Sequence, residues 1–274
     1  MIDYSNATDN DINSLKELWL NNFEDNPKAV DLFFDRIFSP DITFVAKEGD
    51  TLVSMVYLLD TMVNGHKTAY LYAAATEKSY QGNGIMTNLV DYALNNSNAE
   101  LCVTLPATSS LYSLYKNLGF IPVTQKTATF CRKSLENLAK SYSNEEVAVS
   151  NYCGIRNRVL KNNFLFWNNK HINYAFDYNS LYGVKVIKNN YGYAIFDDDN
   201  ISTVYEIICD DINVPYMLND ILTLTKADTF NFRLSDYQQY LLSKADKVSK
   251  ENYGMVRYLS DYRTDNIYAN LLLD

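Results

Sequence analysis

Two glycines separated by a single asparagine stand at the start of a predicted helix, in the segment 79–89 (SYQGNGIMTNL). Glycine at such a position costs backbone entropy, so the chain must need a conformation or a close approach there that a side chain would prevent. Consecutive N–H groups of a glycine-rich loop can point into one concavity, and the N-terminus of the following helix adds about half a positive charge. Residues 81–86 therefore predict a backbone-lined site for an anion of pyrophosphate size.

The loop differs from two common phosphate-binding motifs. It has no Gly-Lys-Ser/Thr, which excludes a Walker A motif, and it lacks the third glycine and the early position of a Rossmann fingerprint. A glycine pair before a helix is also typical of a turn that binds nothing. The elements around the loop must decide between these alternatives.

The order of predicted elements favours an α/β (α+β) fold. The first half contains a strand, two helices, three strands, a helix, a strand, a helix and a strand, with the glycine loop directly after the third consecutive strand. Asn64–Gly65 lies between two apolar runs and predicts a β-hairpin. This order is typical of a mixed, mostly antiparallel twisted sheet flanked by helices.

The second half repeats this plan without repeating the residues, which predicts two related domains. Residues 134–150 are polar and weakly patterned, so we place domains at 1–135 and 151–274 with a linker at 136–150. The second copy has DDINVP where the first has its glycines, and two aspartates would repel a phosphate. We expect this degenerate copy to cover the acceptor side of the first.

The charge and the spacing of the ligand-forming residues disfavour several classes of partner. The net charge is −9 and no basic stripe is present, so we expect no binding to DNA or RNA. No apolar run approaches a membrane span, and the polar first twenty residues lack the features of a signal peptide. The two histidines and four cysteines are too scattered for a metal site, and free thiols are typical of the reducing cytoplasm.

Two motifs resemble the signatures of one enzyme family. The run AYLYAAATEKSYQGNGIMTNLVDYAL resembles the acetyl-CoA signature [QR]-x-x-G-x-[GA] of the GNAT superfamily of N-acetyltransferases, with Met86 where glycine or alanine is usual. The run LYKNLGF (114–120) resembles the second GNAT signature, a helix with a tyrosine four residues before Gly-Phe. The two-copy plan and the C-terminal YANLLLD resemble bacterial two-GNAT proteins related to the enhanced-intracellular-survival (Eis) acetyltransferases.

The resemblance implies a role for each matching position. The backbone amides of the loop would hold the pyrophosphate of acetyl-CoA, the co-substrate, and the end of the preceding strand would offer backbone groups to its pantetheine arm. Tyr115 would be the general acid that protonates the departing thiolate, although a tyrosine at this spacing is also typical of a core. The alanines beside the pantetheine arm have a second interpretation, which is tight packing under a helix. The cofactor-binding residues so implied are Ala74, Ala75, Thr76, Gln81, Gly82, Asn83, Gly84, Ile85 and Met86. Gln81 is also expected to add a side-chain donor.

The general base has no obvious candidate in the sequence. Many members of the family use a glutamate on the strand before the loop, but residues 68–75 contain no carboxylate. Glu24 and Glu77 lie nearby and are expected to be solvated. The resemblance to the Eis proteins implies that the terminal carboxylate of Asp274 accepts the proton.

These observations predict an acetyl-CoA-dependent N-acetyltransferase that acts on the primary amine of a small molecule or a peptide. The alternative is a non-catalytic protein that binds acyl-CoA as a sensor. The missing strand carboxylate favours the sensor, whereas the retained Tyr115 favours the enzyme.

Overall fold

The computed structural model describes residues 1–140, 151–264 and 266–270 of this 274-residue chain, in two compact units. The first unit contains Met1–Pro122 and Gly254–Arg263, and the second contains Val123–Tyr253 and the described chain from Thr264 onward. This division differs from the sequence-based boundary at 135, because the strand that enters the second unit at Val123 pairs with strands of that unit. The predicted linker falls mostly on residues 141–150, which lie outside the described residues.

The first unit is a mixed sheet with helices on both faces. The elements are β1 (Ile2–Asn6), α1 (Ile12–Asn22), α2 (Pro27–Arg36), β2 (Thr43–Glu48), β3 (Thr51–Val63), β4 (His66–Thr76), α3 (Ile85–Asn96), β5 (Leu101–Thr104) and α4 (Ser109–Asn117). The strands follow the order β1-β2-β3-β4-β5; the pairs up to β4 are antiparallel, and β4 and β5 are parallel. Residues 254–258 of the last strand of the chain run antiparallel to β5. The predicted mixed, mostly antiparallel α/β fold is confirmed.

The β3–β4 hairpin forms because Asn64 and Gly65 both adopt positive φ, at 53° and 85°. Two positive φ angles in a two-residue turn match the right-handed twist of the flanking strands, and asparagine followed by glycine accepts them most readily. The turn pairs Val63 with His66 and sets the register of both long strands. The local dipeptide thus aligns the strand that leads into the glycine loop.

Each face of the first sheet is covered by its own apolar cluster. Helices α3 and α4 bury one face, with Leu89, Val90 and Phe120 almost fully excluded from solvent. On the other face, Trp19 of α1 contacts the rings of Tyr57 and Tyr72 at centroid distances of 5.5 and 5.6 Å. Large aromatic rings contribute much of the buried apolar area in a core of this kind. The sheet is therefore rigidly supported on both sides.

The second unit is also a mixed sheet with helices. The elements are β6 (Ile121–Cys131), α5 (Arg132–Leu138), α6 (Tyr152–Leu160), α7 (Asn169–Leu181), β7 (Lys185–Asn189), β8 (Gly192–Phe196), β9 (Ile201–Cys209), α8 (Val214–Leu224), β10 (Thr229–Leu234), α9 (Gln239–Lys244) and β11 (Lys247–Tyr258). The strands follow the order β6-β10-β9-β8-β7, and β9 and β10 are parallel. These five strands and the helices α5, α8 and α9 form the core, which includes Phe130, Met217 and Phe232.

Helix α8 of the second unit begins without a glycine, as the sequence predicts, whereas α3 begins directly after Gly84. Asn213 caps α8 with an ordinary φ of −96°, and Pro215 in the first turn provides no N–H group. Asp210 just before it forms an ion pair with Arg158, at 2.6 Å between Nη2 and Oδ2. This helix start therefore lacks the two positive-φ glycines that open the backbone in front of α3.

A fully buried ion pair lies between α6 and β9 in the second unit. Arg156 Nη2 and Glu206 Oε1 are 3.1 Å apart, both side chains are 0% exposed, and Tyr193 donates its hydroxyl to Glu206 Oε2 at 2.6 Å. Burial opposes the charge on Arg156, but the Glu206 carboxylate raises the pKa of the guanidinium, which stays charged. Burial and the same carboxylate raise the pKa of Tyr193, so its phenol stays a donor.

Across the described residues, no helix combines the length and the apolar character that crossing a membrane requires.

Candidate active site

The glycine loop adopts a backbone conformation that explains its composition. Gly82 and Gly84 have φ of +78° and +74°, a region that residues with a Cβ rarely enter, and Gly84 is the N-cap of α3. A Cβ built on either glycine would meet no atom within 4 Å, so open space lies in front of both. The loop therefore offers bare backbone to an approaching group.

The N-terminus of α3 leaves donors available beside this space. The first intrahelical bond runs from Asn88 N to Gly84 O at 3.0 Å. Helix geometry consequently gives the N–H groups of Ile85, Met86 and Thr87 no intrahelical acceptor. Together with the helix dipole, these donors favour an anion at the loop.

Side chains tie the loop to the sheet. Gln81 Nε2 donates to Thr76 O at the end of β4, at 2.9 Å, and Asn83 Nδ2 donates to Tyr80 O at 3.2 Å. Tyr80 in turn donates its hydroxyl to Glu48 Oε2 at 2.7 Å. Gln81, whose side chain is expected to add a donor for the anion, thus uses one amide N–H to hold the loop against β4, and its role toward the anion stays a prediction.

Strand β4 carries a β-bulge just before the loop. Met55 pairs with Ala75 and Tyr57 pairs with Tyr72, so the single β3 residue between them faces two residues of β4, at 73 and 74. Ala73 has a φ of +44°. A bulge bends its strand and turns backbone groups out of the ladder, and these features are common beside active sites. Ala73 was not among the site residues predicted from the sequence. Its only signal in the sequence is its place in a run of three alanines.

Strands β4 and β5 diverge where β4 approaches the bulge. Their parallel pairing runs from Thr68–Leu101 to Tyr70–Val103. The next contact is a side-chain bond, from Thr104 Oγ1 to Leu71 O at 3.1 Å. Beyond this fork, β4 continues to Thr76 without a ladder to β5.

The three β4 residues implied by the resemblance lie on this open stretch. Ala75 O accepts a bond from Ser54 Oγ at 2.9 Å, on the β3 side of the strand. Ala74 is half-buried and packs against the cluster under α3, as the packing interpretation of the alanines predicts. Their contact with a pantetheine arm stays a prediction. An open strand edge of this kind can receive an extended ligand through backbone hydrogen bonds.

Tyr115 is positioned by the end of its own helix. Gly119 has a φ of +82°, its N–H donates to Lys116 O, and the Phe120 N–H donates to Tyr115 O, both at 3.0 Å. This pair of bonds is a Schellman motif, and the ring of Phe120 packs against that of Tyr115 at 5.4 Å in its usual apolar contact. The Gly-Phe of the sequence motif thus fixes the tyrosine ring.

Tyr115 is 6% exposed and belongs to the buried cluster that also contains Leu71 of β4 and Cys102 of β5, the strand residues next to the fork. Burial raises the pKa of Tyr115 to about 12. The phenol is consequently protonated at neutral pH, a state that suits a proton donor and not a base.

Comparison with known proteins agrees with this geometry. Residues 3–123 match the family described as "Acetyltransferase (GNAT) domain". This unit is a GNAT acetyltransferase domain. The matched domain supports the predicted acyltransferase activity. No curated protein matches it in sequence.

Solved structures resemble the chain far beyond the GNAT domain. A GCN5-related N-acetyltransferase from Anabaena variabilis is 14% identical with a TM-score of 0.70, covering 94% of this chain and 73% of that one. One from Kribbella flavida is 14% identical with a TM-score of 0.64, at 94% and 72% coverage. Eis1 from Mycobacterium abscessus is 10% identical with a TM-score of 0.65, at 93% and 73% coverage. At these identities the likeness concerns the fold.

Glu24 and Asp25, which follow the end of α1, have different surroundings. Glu24 is exposed, whereas Asp25 beside it accepts a bond from Trp19 Nε1 at 2.7 Å. Trp19 contacts Tyr72, the β4 residue directly before the bulge. The only sequence signal for Asp25 was its place after an aromatic helix end. Asp274, the base implied by the resemblance, lies outside the described residues and stays a prediction.

The C-terminal end of α4, which positions Tyr115, can be tested by substitution of Gly119. Gly119→Ala should destabilise the GNAT domain by roughly 1 to 2 kcal/mol, since alanine is strained at positive φ. The added Cβ would lie 3.8 Å from Arg257 Nε, an ordinary van der Waals distance, so no steric clash adds to the backbone strain. Displacement of the Tyr115 ring should also lower kcat, by up to about 10²-fold for a shift of about 1 Å. Urea unfolding and steady-state kinetics measure the two effects.

Gly49→Ala is the matched control. Gly49 has a φ of +59° in the β2–β3 turn, and its Cβ would meet nothing within 4 Å. It should show the same backbone strain and an unchanged kcat. Equal kcat values for the two variants would contradict the positioning role of Gly119.

Proposed function

We propose that this protein is an acetyl-CoA-dependent N-acetyltransferase that acetylates the primary amine of a small molecule or a peptide. The observation that carries the proposal is the fork between β4 and β5, which opens at the strand end that leads into the glycine loop. The buried, protonated Tyr115 packs in the same apolar cluster as the strand residues next to this fork. The same three features supply an anion site, an open strand edge and an acid. Transfer from a pantetheine thioester needs all three.

The chain fits acetyl-CoA as a co-substrate. The open space before Gly82 and Gly84 lets phosphate oxygens reach the backbone, as the missing contacts around their Cβ positions indicate. In this proposal the amides of residues 81–86 hold the pyrophosphate, and backbone groups of Ala74, Ala75 and Thr76 bind the pantetheine arm. The bound thioester supplies the activated acyl group, while the protein supplies position and dipoles.

Each of these groups has a separate role in acetyl transfer. Backbone groups turned out of the ladder at the bulge stabilise the negative charge that develops on the carbonyl oxygen. Tyr115 protonates the sulfur as the carbon–sulfur bond breaks. The amine loses its proton to water or to a carboxylate, and the terminal carboxylate of Asp274 keeps its predicted role as that base.

Two properties favour a cationic acceptor inside a cell. Asp25 brings a carboxylate next to the Trp19 indole on the face of the sheet that carries Tyr72, and the chain has a net charge of −9. A half-buried carboxylate on an acidic chain attracts an ammonium group. All four cysteines are free thiols, which fits the cytoplasm.

The direct test is a thermal shift with acetyl-CoA, CoA and ATP on the wild type and on two variants of Gly84. A ligand at about 100 times its Kd adds roughly 2.7 kcal/mol of stability. We expect both CoA species to stabilise the wild type. Gly84→Asp should abolish that shift because its carboxylate repels the pyrophosphate.

Gly84→Asn is the matched control for this charge. Asparagine has the same shape as aspartate and also tolerates the positive φ of this position. It should keep a measurable shift with CoA. If the folded wild type shows no shift with either CoA species, the glycines form only a turn and the proposed function is wrong.

Turnover of acetyl-CoA with a panel of small amines and peptides then tests the acceptor class. Release of free thiol with at least one primary amine is the expected result. Binding of CoA without turnover of any amine would instead support the sensor.

A further inference from the structure

A cavity of the GNAT domain lies where the sheet extends past the C-terminal end of α3. The helix has 12 residues, and the strands β3 and β4 beneath it have 13 and 11. At about 1.5 Å per helical residue and about 3.3 Å per strand residue, α3 covers about half the length of these strands. The uncovered end forms a cavity of about 410 Å³, a volume typical of small-molecule sites.

The floor of this cavity is apolar and belongs to the core under α3. Phe44, Leu58 and Ala69 line it, and each is at most 4% exposed. Side chains two positions apart on a strand lie on the same face of the sheet. Asp60 therefore continues the row of Leu58 past the end of the helix, and Lys67 continues the row of Ala69. The cavity thus has a hydrophobic floor and a charged rim.

Negative charge dominates the rim. Asp41, in the turn before β2, and Asp60 are exposed carboxylates that line the cavity. In the part of the chain that the structure describes, neither carboxylate has a hydrogen bond or an ion pair. The C-terminal end of α3, at Asn96, also lines the cavity, and the helix dipole places about half a negative charge there. These three groups favour a cation.

The cation among the lining residues is partly offset by a carboxylate outside the cavity. The backbone N–H of Lys67 donates to Glu100 Oε1 at 3.2 Å. The pKa of Glu100 is lowered, first by its hydrogen bond with His66 and further by the backbone and the charge of Lys67. The Lys67 ammonium therefore interacts with Glu100, and the carboxylates of the rim keep their attraction for a cationic ligand.

We propose that this cavity binds a small organic cation, with its ammonium group at the carboxylates of Asp41 and Asp60 and its apolar body on the floor formed by Phe44, Leu58 and Ala69. The helix end contributes to the same attraction. The site is a second ligand site of the GNAT domain, and the inference does not depend on the proposed function.

The position of the cavity separates its ligand from the amine that would react with the thioester. Ala69 lies four residues before the bulge at Ala73, which corresponds to about 13 Å along the strand. From Ala69 the cavity extends toward Lys67, away from the bulge and the glycine loop. The β4–β5 ladder is still closed from Thr68 to Tyr70. A small ligand held at Asp60 therefore cannot reach the fork.

The test uses 2-phenylethylammonium, neutral 2-phenylethanol and anionic phenylacetate as probes. The three share an aromatic body and differ in the charge at one end. Nitrogen–proton correlation spectra of the labelled chain show which backbone amides each probe perturbs. We expect the cation to cause saturable shifts at residues 58–61, 67–69 and 96–99, with a Kd in the millimolar range that suits a ligand of this size. The alcohol should bind at least about threefold more weakly, because it lacks the charge.

Two double variants locate the charge that attracts the probe. Asp41→Asn with Asp60→Asn keeps the shape of both side chains and should raise the Kd of the cation about tenfold, the combined effect of two exposed charge pairs. Asp35→Asn with Asp50→Asn is the matched control. It removes the same net charge from exposed positions of the same unit that do not line the cavity, and it should leave the Kd within about twofold.

Four results would overturn the proposal. They are the absence of saturable shifts at a cation concentration of about 50 mM, well above a millimolar Kd; equal Kd values for the ammonium and the alcohol; an unchanged Kd in the variant of Asp41 and Asp60; and shifts confined to residues 72–74 and 81–86. The last result would place the cation at the acetyl-transfer site instead of this cavity.

Discussion

Tyr115→Phe is expected to lower kcat by about 10²- to 10⁴-fold, the usual contribution of a positioned general acid. The phenylalanine ring keeps its packing against Phe120, so the fold and the binding of acetyl-CoA should be preserved. KM for acetyl-CoA should therefore stay within a few-fold of the wild-type value. Steady-state release of free thiol, together with the thermal shift with CoA, measures both quantities.

The pH dependence gives this prediction a second readout. The pKa of Tyr115 is raised to about 12, so its protonated, acting form is present at every pH below that value. Between about pH 6 and pH 9 the ratio of wild-type to Tyr115→Phe kcat should stay constant. A fall in that ratio as the pH rises through this range would mean that the phenol titrates there and that burial does not protect its proton.

Tyr92→Phe is the matched control. Tyr92 lies on α3 of the same domain, where its ring neighbours those of Tyr4 and Phe44 at 6.0 and 6.3 Å. Loss of this hydroxyl should leave kcat unchanged. An equal effect of the two substitutions would contradict the acid role of Tyr115.

Glu206→Gln is expected to lower the free energy of unfolding of the second unit by about 3 to 5 kcal/mol. The substitution leaves the Arg156 guanidinium charged and buried with neutral acceptors alone, which are the amide oxygen of the new glutamine, Leu165 O and Asn270 O. Removal of a charge from a fully desolvated pair costs far more than the pair itself is worth. Urea unfolding followed by circular dichroism measures the change.

Arg158→Ala is the control on the same helix. Arg158 pairs with Asp210 at 2.6 Å, but the two side chains are 58% and 41% exposed. Solvent screens such a pair, so its loss should change the free energy of unfolding by less than about 1 kcal/mol. Similar losses for the buried and the exposed pair would show that Arg156 is not desolvated.

A double replacement distinguishes the unpaired charge from lost packing. Arg156→Met with Glu206→Leu removes both charges and fills the space with apolar groups. This variant should be more stable than Glu206→Gln, since no unpaired charge is left in the interior. If it is less stable, the pair contributes through its geometry and its bond to Tyr193.

Features that depend on local backbone geometry could be predicted from the amino-acid sequence alone. The loop at Gly82 and Gly84 could be predicted because only glycine adopts positive φ without strain, whatever surrounds it. The spacing of Tyr115, Gly119 and Phe120 was readable because a Schellman motif joins residues within a single helix end. The family resemblance and the order of strands and helices depend on the same short-range signals.

Features that depend on residues distant in sequence could not be predicted and are seen only in the folded chain. The bulge at Ala73 is a matter of register between two strands, and the fork at Thr104 is the point where two parallel strands part. Arg156 and Glu206 are 50 residues apart, and nothing in the local pattern marks either as buried. Local sequence limits the φ and ψ of each residue, whereas register, desolvation and hydrogen-bond partners are set by which segments meet when the chain packs.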